Sequence, residues 1–460
     1  MRKNHALRSY TSVYRQYSKT ISSALVDAPT CFDRDRKLGP LQVLLTMQAA
    51  HFAGSQEGGQ SWEDALASVR DSFGEDTEWG RRFDVSRTAL HQAIKKVDDE
   101  AQAKLWEVCR NLFPAAAGST LSKMHGVLFA HIDGTQVRTQ RSAELMEVVG
   151  TQTNGPNKSC HYPVAKCVLV LEAGTQRILG HEICRCKAFD KEEEPVLPRE
   201  ERSGWELFRD KTTENHAIIG DSGFSSYHDF ADLIDAGKHF IIAVPKTWKI
   251  VKKFKATKKS DGIVTMKMPN DPSRTLTLRI FTIRDSDGKA HYIATSLREP
   301  FTLSECRRLY KTRWAIETWF RYAKQFLALR HLRSTTLHGV RLEILAILLV
   351  MQAVAAIRTA VAHQTNRITD LICTVQDGFR KAKFRAALRI AWDTISNALT
   401  QKINDDDGPP PKFKRLFTTT SIYKSGRKFQ RKRKGPNGSY VPQRPSRKQR
   451  KLLKAKAVTG

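Results

Sequence analysis

Four polar residues in one short stretch carry the most chemistry in this sequence. Tyr310, Arg313, Glu317 and Lys324 stand three, four and seven positions apart within the segment Leu303 to Leu329. At about 100° per residue, an α-helix gathers such positions into an arc of roughly 60°. Leu309, Ile316, Trp319, Phe320, Ala323, Phe326 and Leu327 form an apolar face beside this stripe, and Lys311, Thr318, Arg321 and Gln325 fall on the far side. A Glu with an Arg four residues before it is most often a surface ion pair. Here the stripe borders the buried face. A carboxylate among a phenol, a guanidinium and an ammonium suits a metal ligand in a site that also grips phosphates.

Two aspartates follow strand-like apolar runs. Asp133 comes directly after Val127 to Ile132, and Asp221 comes after His216 to Ile219 and Gly220. An Asp at a strand end, next to glycine, is more often a turn residue than a ligand, and on the residues alone both readings stand. With Glu317 they would make three carboxylates. Metal-dependent hydrolysis of a phosphodiester uses such a set of hard oxygens to hold two Mg²⁺ ions about 4 Å apart.

The pattern Y-x2-R-x3-E-x6-K, preceded by Asp-Gly-Thr at Asp133 and Gly-Asp-Ser-Gly-Phe around Asp221, resembles the DDE transposases of bacterial insertion sequences, in the insertion-sequence-four family. The resemblance covers roughly residues 120 to 360. It implies a ribonuclease-H-like sheet, with Asp133, Asp221 and Glu317 as the catalytic, metal-binding triad. Tyr310, Arg313 and Lys324 would hold phosphates at the element's end. It implies two Mg²⁺ ions, which Mn²⁺ can replace, and as partners the DNA of the element ends and the target, bound by a homodimer. An aromatic that receives a flipped base would fit a hairpin intermediate, and Trp248 is the candidate, although a Trp at such a place is more often simply packed on the core. The family commonly has a basic residue after the second Asp, where this chain has Ser222.

The elements that must position these groups follow from pattern and composition. A chain of 460 residues, 40% hydrophobic, can bury more than one core. Its net charge of +30, from 77 Lys and Arg against 47 Asp and Glu, favours a polyanionic partner. Eight scattered cysteines without a C-x-x-C pair read as reduced thiols; Cys184 and Cys186 near His181 offer only half of a zinc site. The N-terminus lacks the apolar region of a signal peptide, and the apolar run Ile344 to Ile357 suits a core helix better than a membrane span. A cytoplasmic protein of the bacterial nucleoid, without membrane contact, is therefore expected.

In order, residues 1–37 read as a basic arm and 38–118 as a helical N-terminal DNA-binding domain. Within it Ser61 and Asp64 offer a capping box, and Ser86 caps a helix that presents Arg87 and Lys95 as DNA contacts, the second helix of a possible helix-turn-helix. Residues 119–244 alternate strands and helices as the first part of the catalytic domain. Residues 245–298 are basic and strand-rich and read as a β-rich insertion, and 299–400 as the rest of the catalytic domain with C-terminal helices. From Gly408 onward there are seventeen Lys or Arg and no acid, so 401–460 reads as a basic, disordered, sequence-indifferent DNA-binding tail. The fold class expected is thus α/β: a ribonuclease-H-like mixed sheet with helices, interrupted by a β-rich insertion. The function expected is a DNA transposase that cuts element ends and joins them to a target. Two alternatives are a catalytically silent DNA-binding relative and a metal-dependent nuclease of the same fold.

Overall fold

The computed structural model describes residues 38–52, 61–111, 123–151, 161–186 and 197–364, apart from 77, 198, 199, 270, 286 and 331, together with 433–434 and 440–441. The basic arm 1–37, the acidic run at Glu192, the helices expected beyond residue 364 and most of the tail lie outside the described residues. The chain divides into two compact units, Met1–Thr418 and Thr419–Gly460. In the second, Arg433–Lys434 pairs antiparallel with Tyr440–Val441.

Five helices open the described part of the first unit: α1 (Pro40–Phe52), α2 (Trp62–Phe73), α3 (Glu78–Arg82), α4 (Arg87–Lys96) and α5 (Asp99–Asn111). Ser61 and Ser86 accept backbone N–H groups of Asp64 and Ala89, which fixes the starts of α2 and α4. The element directly before α4 is only the five-residue α3.

A single mixed sheet follows. Its strands are β1 (Lys123–Met124), β2 (Val127–Arg138), β3 (Val164–Glu172), β4 (Ile178–Arg185), β5 (His216–Gly220), β6 (His239–Val244), β7 (Asp261–Lys267), β8 (Thr275–Arg284) and β9 (Ala290–Thr295). Their order is β4-β3-β2-β5-β6-β9-β8-β7, with β1 on β2. β2, β5 and β6 are mutually parallel and the other pairs antiparallel. The connecting helices are α6 (Ala143–Val148), α7 (Glu200–Lys211), α8 (Tyr227–Asp235) and α9 (Lys249–Ala256), and the last three elements are α10 (Leu303–Lys311), α11 (Trp314–Phe326) and α12 (Leu337–Gln364).

The period-two alternation of the strands sorts the core into two layers. Ala130 and Ile132 of β2, Ile218 of β5 and Ile242 of β6 pack with Trp205 and Phe208 of α7, Phe230 of α8 and Phe254 of α9. Phe129, Ala217, Ile219 and Ile241 face the other way, against Cys306 and Leu309 of α10. Val137, Cys167 and Leu169 continue that side against Ile316, Trp319 and Phe320 of α11 and the length of α12. Leu44, Leu66, Leu90 and Leu105 of the opening helices share this same core. Buried His51 of α1 lies 2.9 Å from Glu343 of α12, which also accepts the backbone N–H groups of Arg333 and Ser334.

Three expectations are corrected. β2 does not end at the Asp-Gly-Thr: it runs on to Arg138, because β3 pairs with it residue by residue from Ala130 to Arg138. The 245–298 segment does not interrupt the sheet. β9 pairs with β6 through Ile242 and Ala294, so β9, β8 and β7 extend it, and the basic start of the segment folds as α9. The helix from Leu303 to Leu329 is not continuous but breaks at Thr312 and Arg313. Among the described residues no helix is long and apolar enough to cross a membrane.

Candidate active site

Asp133 and Asp221 come from neighbouring parallel strands. The last parallel pair between β2 and β5 is His131 with Ile219, and each aspartate lies two residues further along its own strand direction. Continuing that register brings them level, on strands about 4.8 Å apart. Asp133 is not a turn residue: it sits mid-strand opposite Leu169 of β3, on the free stretch of β2 beyond β5. Its Oδ1 accepts the N–H of Gly134 at 2.8 Å. The β2 alternation puts Asp133 on the same side as Phe129 and His131, toward α10 and α11. Asp221 does cap a turn, accepting the N–H of Gly223 at 2.8 Å at the start of a 3₁₀ turn over Ser222–Phe224. Gly220 before it is required by close packing, since a Cβ there would lie 2.8 Å from Ile132 Cγ2 and 2.9 Å from Ile242 Cδ1.

The junction between α10 and α11 supplies the other groups. Four backbone bonds around the joint span only three residues: Thr312 to Leu309, Arg313 to Tyr310, Ala315 to Thr312 and Ile316 to Arg313. This is 3₁₀ winding, tighter than an α-helix, so the stripe of four residues is a property of two helices and a joint rather than of one regular helix. The cause is visible at Thr312. Its hydroxyl donates to the Leu309 carbonyl at 2.6 Å and lies 2.8 Å from Nε2 of buried His131 on β2. A hydroxyl has one proton to donate, so Nε2 carries the other and donates to Thr312 Oγ1. His131 is thus the neutral Nε2–H tautomer, and burial, with Arg313 adding, pushes its pKa down to about 3. Nothing in the sequence pattern singles out His131 or Thr312. They tie the strand bearing Asp133 to the joint bearing Arg313.

Around that joint the expected residues converge. Arg313 pairs with Glu317 at 2.7 Å, with side chains 14% and 30% exposed. Burial works against the Arg313 charge, but Tyr310, Glu317 and Asp133 outweigh it and hold the guanidinium above its ordinary pKa. Burial pushes the Tyr310 phenol up; Arg313 opposes this, and the charges of Asp221 and Glu317 add to it. Burial lowers the Lys324 ammonium, with Arg330 adding and Cys167 and Asp133 opposing. Arg313 therefore feels Asp133 and Glu317, and Tyr310 feels Asp221 and Glu317. Arg313 Nε is buried without a hydrogen-bond partner. Beside it stands a residue that pattern and spacing do not mark: Trp314, 58% exposed, with its ring 5.6 Å from the guanidinium.

Other expected contacts are not gathered here. Trp248 caps the start of α9 and stacks on Tyr227 at 4.0 Å, against the core of the opposite sheet face. Arg87 and Lys95 are exposed on α4, where Arg87 meets Glu63 at 3.6 Å. Ser222 is exposed in the turn after Asp221. His181 and Cys184 sit an odd number of residues apart on β4 and so face opposite sides of the sheet. Among the described residues, no three His, Cys, Asp or Glu side chains are close enough to form a ready-made metal cluster.

Residues 130–352 match the family model described as "Transposase DDE domain". The span includes Asp133, Asp221, Tyr310, Arg313, Glu317 and Lys324. A stretch of 162 residues, 33% of the chain, is 30% identical to "Putative transposase y4zB" of Sinorhizobium fredii. That match covers 44% of the relative, so the chain spans less than half of its length. Among solved structures, the chain is similar to the piggyBac transposase in its synaptic complex with hairpin DNA, at a TM-score of 0.46 and 10% identity over 86% of this chain and 80% of that one. Likeness at that level adds nothing to the assignment.

Proposed function

We propose that the chain is a DNA transposase of an insertion sequence, with Asp133, Asp221 and Glu317 as its catalytic carboxylates. What supports this reading is that Asp133 on β2 and Asp221, directly after the neighbouring parallel strand β5, each follow the last β2–β5 pair by two residues, and that Arg313, paired with Glu317, is also acted on by the charge of Asp133. The match to the DDE domain over the same residues supports it. So does the topology, in which antiparallel β4-β3-β2 continues into parallel β5 and β6, the order of a ribonuclease-H-like sheet.

The donor set fits a hard divalent cation, Mg²⁺ or Mn²⁺, because all three groups are carboxylates. Asp133, Asp221 and Glu317 would hold the ions, which when bound polarise the scissile phosphate and activate the attacking hydroxyl. Arg313 neutralises Glu317, and its guanidinium would grip a phosphate oxygen. Tyr310 stays a neutral phenol and donates a hydrogen bond. Lys324 adds a point charge near Asp133. Trp314, exposed next to Arg313, can stack an unpaired base. A dimer would bring two element ends together, and the same carboxylates would serve cutting and joining.

One observation favours a second reading, a DNA-binding relative without catalysis: Glu317 is engaged by Arg313, and among the described residues the carboxylates are not gathered into a metal cluster. The deciding assay is cleavage of an end-labelled linear duplex carrying the native element end, with Mg²⁺ or Mn²⁺, by wild type and by Glu317→Gln. Nicking at the element end by the wild type alone is expected. Binding without cutting by both proteins, with paired ends present, would select the second reading.

A further inference from the structure

Outside the carboxylate site, the most unusual surface in the fold is the segment from Lys246 to Lys259. It carries seven lysines, Lys246, Lys249, Lys252, Lys253, Lys255, Lys258 and Lys259, and no acid. All seven are exposed. Elsewhere on the described surface several cations are paired with acids: Arg70 with Glu75, Arg82 with Glu78, Lys104 with Glu100, Arg202 with Glu206, Arg209 with Asp229, and Arg274 with Asp235. None of the seven has an acidic partner among the described residues. Lys253 reaches the Thr265 carbonyl at 3.1 Å, and Lys255 lies 4.9 Å over the Tyr292 ring.

The array is held on a rigid support. Ile250, Val251 and Phe254 are fully buried beneath α9 in the core shared with β7 and β8, and Trp248 at its start is stacked on Tyr227. Lys249 with Lys252, Lys249 with Lys253, and Lys252 with Lys255 are like charges at helical i,i+3 or i,i+4 spacing, each unfavourable in the isolated fold. Lys249 also opens the helix, at the end where the dipole disfavours a cation. Lys253 and Lys255 lie in the last turn, where the dipole favours them, so the cost falls on Lys249 and on the like-charge spacings; such a run on a buried apolar footing suits a surface whose charge is answered by a partner.

Its position identifies the partner. β2, β5 and β6 run parallel, so their carboxyl ends share one edge of the sheet, the edge at which Asp133 and Asp221 stand. Lys246 follows two residues after β6 leaves that edge, and Tyr227, under Trp248, opens the helix after the Asp221 turn. We infer that the lysines of 246–259 are a phosphate-binding track for duplex DNA flanking the scissile position, separate from the groups that act on the scissile phosphate. This rests on the transposase reading and extends it to a surface that reading does not use. Lysines act here as point charges without base readout, so the track binds backbone irrespective of sequence.

The test is the salt dependence of binding by the full chain to a fluorescent 40-base-pair duplex of mixed sequence, for wild type and for the triple variant Lys246→Gln, Lys249→Gln, Lys252→Gln. The three side chains are exposed and make no hydrogen bond or ion pair among the described residues, so thermal melting should be unchanged. For each phosphate no longer neutralised, the slope of log K against log salt flattens by about 0.9. The variant's slope should therefore be shallower by about 2 to 3. Equal slopes for wild type and triple variant would overturn the track while leaving the transposase reading intact. Failure of the wild type to bind the duplex would overturn both.

Discussion

Replacing Thr312 by Val keeps the shape of the side chain and removes only its hydroxyl, so the result reports on the link between β2 and the α10–α11 joint. His131 is fully buried, and its Nε2–H then has no acceptor. Moving the proton to Nδ1 does not help, because that atom also has no partner. Protonation is closed off as well, since burial holds the ring neutral down to about pH 3. An unsatisfied buried donor costs roughly 1–3 kcal/mol. We therefore expect Thr312→Val to lose about 2 kcal/mol, read as a fall in the urea midpoint at unchanged m-value. The double variant His131→Leu, Thr312→Val removes both polar partners and should be less destabilised than the sum of the single variants by about 1 kcal/mol or more. Wild-type stability for Thr312→Val, or single effects that simply add, would refute the proposed tautomer and the role of this hydrogen bond at the joint.

Two further predictions concern buried ionisable groups. Glu343 is fully buried, and although burial alone would raise its pKa, His51, Ser334 and Arg333 hold it below the ordinary carboxylate value. Glu343→Leu strands those donors and should cost roughly 3–5 kcal/mol in urea unfolding; an unchanged midpoint would show that this buried cluster contributes nothing to stability. His181, edge-on to Trp106 at 4.5 Å, is lowered to about 4 by burial, with Lys211 adding. The unfolded chain takes up a proton on this histidine below about pH 6.5 and the folded chain does not. Its contribution is therefore complete above pH 6.5 and declines as pH falls toward 4. The loss amounts to about 2 kcal/mol between pH 7 and pH 5. His181→Leu should lose about that much less over the same interval, and an identical pH dependence in the two proteins would contradict the assignment.

Much of the fold can be read from local pattern, and the misses share one physical origin. His216 to Ile219 and Tyr227 to Ala236 read as strand and helix, and the structure has β5 and α8 at those places, because both are short, periodic and bounded by glycine or a cap. The extension of β2 through Asp133 depends on a partner strand distant in sequence, which the Asp-Gly turn signal cannot reveal. The break at Thr312 is equally hidden, since Thr and Arg are ordinary helical residues and the hydrogen bond from His131 is tertiary. By contrast, α9 is legible: Ile250, Val251 and Phe254 have helical spacing, but the density of lysines around them obscures it. The types and spacing of Tyr310, Arg313, Glu317 and Lys324 identify the charged residues at the joint, but their angular arrangement follows from the joint itself.

The shared core of the opening helices and α12 has a consequence for how the chain comes to be made. Leu44 and Leu90 leave the ribosome some 250 to 290 residues before the helix they pack on, and His51 precedes Glu343 by 292 residues. Until then the opening helices lack that burial partner. A nascent or truncated chain that ends before α12 leaves those apolar faces uncovered, which invites chaperone capture or aggregation. Order of synthesis thus couples completion of the main core to completion of the site: Glu317 is translated before α12, but the scaffold behind α11 closes only when α12 arrives.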